Sequence, residues 1–145
     1  MSHVSCELIA TLKNFHIAYY PSLTYNKHME MIPIVIVETA SFTRSSSSFW
    51  DGEDIDAFKN YIATNYEDGD IIPGTGGIRK IRWSRPGMGK RGGARVIYYY
   101  YNIQNPIYLL FAYPKNVKDS LTDEEKKALH QVAEQLKSQL RRNNT

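Results

Sequence analysis

The chain has a single cysteine, Cys6, in 145 residues. An internal disulfide is therefore impossible, which fits a reducing compartment. There are four histidines, three of them before residue 30, and no His/Cys spacing suited to zinc. Nucleophilic chemistry from a Cys or Ser with a histidine partner is equally unsupported. The one histidine after residue 30 is His130, flanked by the apolar positions of a helical stretch. No apolar run approaches the roughly 20 residues a membrane span needs. The start, "MSHVSCELIATLKNF", lacks the basic n-region and apolar h-region of a secretory signal. The expectation is a cytoplasmic protein with no membrane association, no metal and no cofactor. "GTGG" at 74–77 fits neither G-x-x-x-x-G-K-[ST] nor a G-x-G-x-x-G that opens a helix, so a mononucleotide cradle is not expected.

The most informative absence is local. Between residues 79 and 95 there is no acid, although the chain has 15. That segment carries seven of the 18 basic residues: Arg79, Lys80, Arg82, Arg85, Lys90, Arg91 and Arg95. The net charge of +3 hides this, because the remainder is acidic, with 11 basic residues against 15 acids. Unneutralised cations concentrated in one segment repel one another and attract a polyanion to one place. Seven of the nine glycines lie between Gly74 and Gly93. Those at 87, 89, 92 and 93 let a backbone approach a large ligand.

Around this segment the pattern is that of a small α+β protein. "MIPIVIVE", Met31 to Glu38, reads as a strand buried on both faces. "TASFTRSSSSFW" makes a poor helix because of its serines, with Phe42, Phe49 and Trp50 as anchors. "DGEDIDAFKNYIATN" reads as a better one: Ile55, Phe58, Tyr61 and Ile62 recur at helical spacing behind acids in the first turn. Three strands follow, Gly77 to Trp83, Ala94 to Tyr101 and Pro106 to Tyr113, joined closely enough for an antiparallel meander. A capping box, Thr122 to Glu125, opens a closing helix with Leu129, Val132, Ala133, Leu136 and Leu140 as its apolar stripe. Residues 1–30 show no clean period. They are expected to be an N-terminal extension, either upstream of a start at Met29 or Met31 or forming an extra helix over "CELIATLKNF". Residues 31–145 form one domain.

Alternation in "GIRKIRW" puts Ile78, Lys80 and Arg82 on one face of the sheet and Arg79, Ile81 and Trp83 on the other. Ile81 belongs to a core, so Lys80 and Arg82 point outward. With Arg95 and Lys115 they would grip phosphates through multidentate contacts. Nearby tyrosines can stack on bases, a mode typical of single-stranded RNA. Such a face also permits cleavage by the RNA's own 2′-hydroxyl. A lysine crowded by cations has a lowered pKa and can act as base, and arginines stabilise charge at phosphorus.

"GDIIPGTGGIRKIRW", "GKRGGARVIYYYY", "IYLLFAYPKN" and "LTDEEKKAL", in that order, resemble the RelE/ParE toxin superfamily, and most closely its HigB-like branch. The resemblance covers about residues 31 to 140. It implies a RelE-like fold: a small antiparallel-dominated sheet, N-terminal helices on one side, and a C-terminal helix. It further implies an mRNA interferase, a metal-independent endoribonuclease that enters the ribosomal A site and cuts the mRNA there. The implied partners are the ribosome, mRNA and a cognate HigA-like helix-turn-helix antitoxin. The matching catalytic positions are Lys80, Arg82, Lys90, Arg91, Arg95 and Lys115. Arg95 would carry transition-state charge, and Lys80 or Lys90 would be the base. RNA contacts are expected from Arg79, Arg85, Tyr99 and Tyr113, with Tyr99 or Tyr113 stacking on a base. Two features depart from the family pattern: the serine-rich "FTRSSSSFW", and Pro114 directly before Lys115. The rival readings are a ParE-like gyrase poison and an inactive RNA-binding relative.

Overall fold

A computed structural model describes residues 15–25, 31–85, 87, 93–117 and 120–143, with side chains from residue 34 to 142. Six strands form one sheet: β1 (Phe15–Tyr25), β2 (Met31–Thr39), β3 (Asp70–Ile71), β4 (Ile78–Trp83), β5 (Ala94–Tyr100) and β6 (Ile107–Pro114). Three helices complete the described chain: α1 (Ala40–Ser47), α2 (Gly52–Thr64) and α3 (Asp123–Asn143). The strand order is β1-β2-β6-β5-β4-β3. The expected meander is present, with β4–β5 and β5–β6 antiparallel. The β5–β6 turn is closed by Asn102, whose side-chain carbonyl accepts from Gln104 N at 3.0 Å and from Asn105 Nδ2 at 2.6 Å.

Two features were not expected from sequence. β2 runs parallel to β6, pairing Ile36 with Ile107, so the sheet is mixed. Residues 15–25, where no period was visible, form an antiparallel partner for β2, with a register shift between Tyr19 and Ser22. The helix considered over "CELIATLKNF" falls, except for Phe15, outside the described residues.

Alternation along the strands builds two cores. On one face Ile81, Val96, Tyr98 and Leu109 pack with Phe42, Phe58 and Ile62 from α1 and α2. On the other Ile78, Ile97, Tyr99 and Phe111 pack with Leu129, Val132, Leu136 and Leu140 of α3. Each side chain buried in this way contributes roughly 1.5–3 kcal/mol. The capping box of α3 forms as its sequence dictates, with Thr122 and Glu125 exchanging side-chain to backbone hydrogen bonds of 2.9 and 3.1 Å.

The serine-rich stretch is a helix, and its hydroxyls explain why. β2 pairs with β6 only over Ile107–Leu109, which leaves the next part of β6 without a strand on that side. α1 and its N-cap cover the gap. Thr39 Oγ1 donates to the carbonyls of Leu109 and Leu110 at 2.7 and 2.9 Å, and Ala112 N donates to Ser45 Oγ at 3.0 Å. Ser46 is fully buried and bonds back to the Phe42 carbonyl at 2.6 Å. Side-chain hydroxyls thus replace a missing ladder. Ser45→Ala removes the acceptor for the Ala112 amide and is expected to destabilise the fold by about 1–3 kcal/mol. Urea unfolding with an unchanged m-value would measure it.

Candidate nucleic-acid interface

Cross-strand register decides which cations meet. Arg82 on β4 stands opposite Arg95 on β5, and Arg95 stands opposite Tyr113 on β6. One step along, Lys80 pairs with Ile97 and Ile97 with Phe111. Directly opposed side chains start about 5 Å apart, and Lys80 and Arg82 are about 6.7 Å apart along β4. Both rows lie on the α3 face of the sheet. α3 covers the end of that face built from Ile78 and Tyr99, and leaves the end carrying Arg82 open. Lys115 follows β6 in an exposed turn, its amide bonded to the Gly93 carbonyl at 3.2 Å. Among the described residues, Lys80, Arg82, Arg95 and Lys115 form no salt bridge. Like charges opposed across a ladder are destabilising. This end of the sheet therefore departs from the arrangement that stability alone would select.

Other residues expected at the site are placed elsewhere. Arg79 projects to the opposite face, where its Nη1 donates to the carbonyls of Glu67 and Gly69 at 3.0 and 2.8 Å. Arg85 binds the start of α2, 3.2 Å from Asp54 and 3.4 Å from Glu53. Tyr99 lies beneath α3 and is 2 % exposed, so packing takes up the ring face expected to stack on a base. Tyr113 does sit in the arginine row, but it is 6 % exposed and stacked on Phe111 at 6.0 Å. Lys90 and Arg91 lie outside the described residues.

Residues that the sequence reading did not single out complete the surroundings. A groove of about 600 Å³ opens beside β4, bounded by Lys80 and Arg82, by Asp70 and Ile71 of β3, and by Leu121 and Lys126 at the start of α3. Tyr61 of α2 also borders it, with its hydroxyl donating to Asp68 at 2.8 Å. Tyr61 and Trp83 are partly exposed rings 6.4 Å apart. The helical spacing of Tyr61 suggested a core position, and it is one on its inner edge only. The "GTGG" segment is the β3–β4 turn. Positive φ at Gly76 and Gly77 (75° and 111°) explains its glycines, and the Thr75 hydroxyl bonds the Ile72 carbonyl at 2.7 Å. Among the described residues, no three His, Cys, Asp or Glu side chains gather in a way that would hold a metal ion.

The model of the RelE toxin of the RelE/RelB toxin–antitoxin system matches residues 38–143. The chain belongs to the RelE toxin family. The match begins at the end of β2 and runs through α3, so it takes in every element that carries the cationic rows. Membership makes the chain the toxin of a toxin–antitoxin system, with an antitoxin as its partner. None of the described helices is long and apolar enough to cross a membrane.

In this RelE toxin the consecutive tyrosines of β5 serve the fold. Tyr98 is fully buried; its hydroxyl accepts from Gly69 N and donates to the Tyr66 carbonyl, each at 2.9 Å. Burial pushes Tyr98, Tyr99 and Tyr100 up to about 12 from the ordinary value of 10.0. The folded toxin keeps protons there that the unfolded chain releases first. Stability from these groups is therefore complete below pH 10 and is lost as pH rises through about 12. Denaturant midpoints followed upward from pH 9, together with phenolate absorbance, are expected to show that fall.

Proposed function

We propose that this toxin is a ribosome-dependent mRNA endoribonuclease of the HigB-like branch, acting in the cytoplasm within the ribosomal A site. The observation that carries the reading is the meeting of Arg82 and Arg95 across β4 and β5, next to Lys80, with none of the three in a salt bridge to a described carboxylate although Asp70 stands opposite Lys80. A polyanion would neutralise the two facing guanidinium groups, and mRNA held on the ribosome is a polyanion with a positioned 2′-hydroxyl. In the proposed reaction Lys80 takes the 2′-hydroxyl proton, and the oxygen attacks the adjacent phosphorus. Arg82 and Arg95 stabilise the extra charge of the pentavalent phosphate. The bond to the 5′-oxygen then breaks, leaving a 2′,3′-cyclic phosphate and, once that oxygen takes a proton from water, a 5′-hydroxyl. Lys115, at the mouth of the same end, binds a flanking phosphate. No step calls on a metal or cofactor. The family match supports an antitoxin as the neutralising partner, and the likeness of the "KRGGAR" segment to HigB-like toxins makes a HigA-like helix-turn-helix protein its proposed form.

The test is a translation extract given purified toxin, with 5′ ends of the message mapped by primer extension. Cuts at ribosome-occupied codons, and none in the same message without ribosomes, are the expected result. An uncut message accompanied by gyrase-dependent DNA breaks would replace this reading with that of a ParE-like gyrase poison. An uncut message without such breaks would leave only an RNA-binding relative.

A further inference from the structure

We infer that the groove beside β4 is a nucleotide subsite adjoining the reacting phosphate, and that Lys126 on α3 is its phosphate ligand. The inference rests on the ribonuclease reading for the direction of the RNA, but not for the presence of the site.

Three observations converge on Lys126. It lies in the first turn of α3, where the helix dipole disfavours a cation, directly after the acids Asp123, Glu124 and Glu125. Nevertheless it forms no salt bridge with any described carboxylate, and instead borders the groove together with Lys80 and Arg82. Lys80, Arg82 and Lys126 thus border one cavity of about 600 Å³ together with the carboxylates of Asp68 and Asp70, an excess of one positive charge that a single phosphate would neutralise.

The opposite wall has the other half of a nucleotide's chemistry. Ile71 is 55 % exposed on the edge strand β3, with Pro73 exposed beside it and Leu121 buried across the groove. An isoleucine that open, on an edge strand, contributes little to the core; an apolar wall facing cations suits a base or ribose beside its phosphate. The strand also sets the direction. Lys80 and Arg82 lie two residues apart on one face, about 6.7 Å along β4. They lead from the reacting phosphate at Arg82 and Arg95, past the attacking 2′-hydroxyl at Lys80, into the groove, where Lys126 meets the neighbouring phosphate.

The test uses full-length toxin and a short, non-cleavable 2′-O-methyl RNA, with binding followed by fluorescence anisotropy over a range of salt. Lys126→Gln is expected to weaken binding by several-fold to tenfold. It should also flatten the dependence of log K on log salt by about 0.7, the loss of one phosphate contact on a single strand. Its melting temperature should stay the same or rise, because a cation leaves the helix N-terminus. Lys127→Gln, one residue on and exposed away from the groove, is the control and should bind as the wild type does. An unchanged salt slope in Lys126→Gln, an equal loss in Lys127→Gln, or no binding by the wild type would each overturn the subsite. Lys126-dependent binding by a toxin that cuts no ribosome-bound message would uphold the subsite while sinking the ribonuclease reading.

Discussion

Arg95→Ala is expected to slow mRNA cutting on the ribosome by roughly 10²–10³-fold, the loss typical of removing one pre-aligned charge donor from a transition state. Growth arrest on expression should vanish with it. The same substitution should leave the fold intact or slightly firmer. Arg95 stands directly opposite Arg82 across β4 and β5, and relieving such a like-charge pair is worth a few tenths to about 1 kcal/mol. Arg95→Lys keeps the charge and loses the planar two-donor fork, so an intermediate rate is expected. Single-turnover cleavage on stalled ribosomes, alongside thermal melts, measures both quantities. Cutting by the alanine variant within a few-fold of wild type would remove Arg95 from the reaction.

The second large effect is on stability. Glu38 on β2 and Lys59 on α2 form an ion pair, with side chains 14 % and 8 % exposed, and Glu38 also accepts from Thr43 Oγ1 at 3.2 Å. This contact ties the parallel strand to the second helix. Glu38→Gln leaves a buried ammonium without its carboxylate, a change that destabilises by about 3–5 kcal/mol. For a chain of this size that corresponds to a fall in Tm on the order of 10 °C. Adding Lys59→Met removes the ammonium as well and should recover a large part of the loss. A double-mutant cycle in urea gives the coupling. Single and double variants losing the same amount would show that the pair is not coupled.

The meander and the closing helix were legible in the sequence because their signals are local. Alternation in "GIRKIRW" assigns Lys80 and Arg82 to one face with no knowledge of neighbouring strands, and the T-x-x-E box marks the start of α3. The parallel β2–β6 pair was not legible. It joins segments about 70 residues apart, and an apolar run does not encode its partner. The serine-rich stretch was legible only as a weak helix for the same reason: intrinsic propensity counts serines against a helix, whereas Ser45 and Thr39 are fixed by a strand edge supplied from elsewhere. At the site, residue type and alternation led to Lys80, Arg82, Arg95 and Lys115. Arg79 and Arg85 were grouped with them by proximity in sequence alone, and each instead meets structural oxygen atoms. Tyr61 and Lys126 were passed over because only tertiary structure brings two helices to the rim of one strand.

The hydroxyl of Thr39 bonds a carbonyl 71 residues further along the chain, at Leu110. Closing so long a loop carries an entropic cost that only the finished contacts repay, and such non-local pairings set the pace of folding. A nascent chain emerging from the ribosome therefore holds β2 without its β6 neighbour until almost all of it has been made. The message encoding this toxin is read nearly to its end before a folded product exists, which gives a co-expressed antitoxin that interval in which to bind.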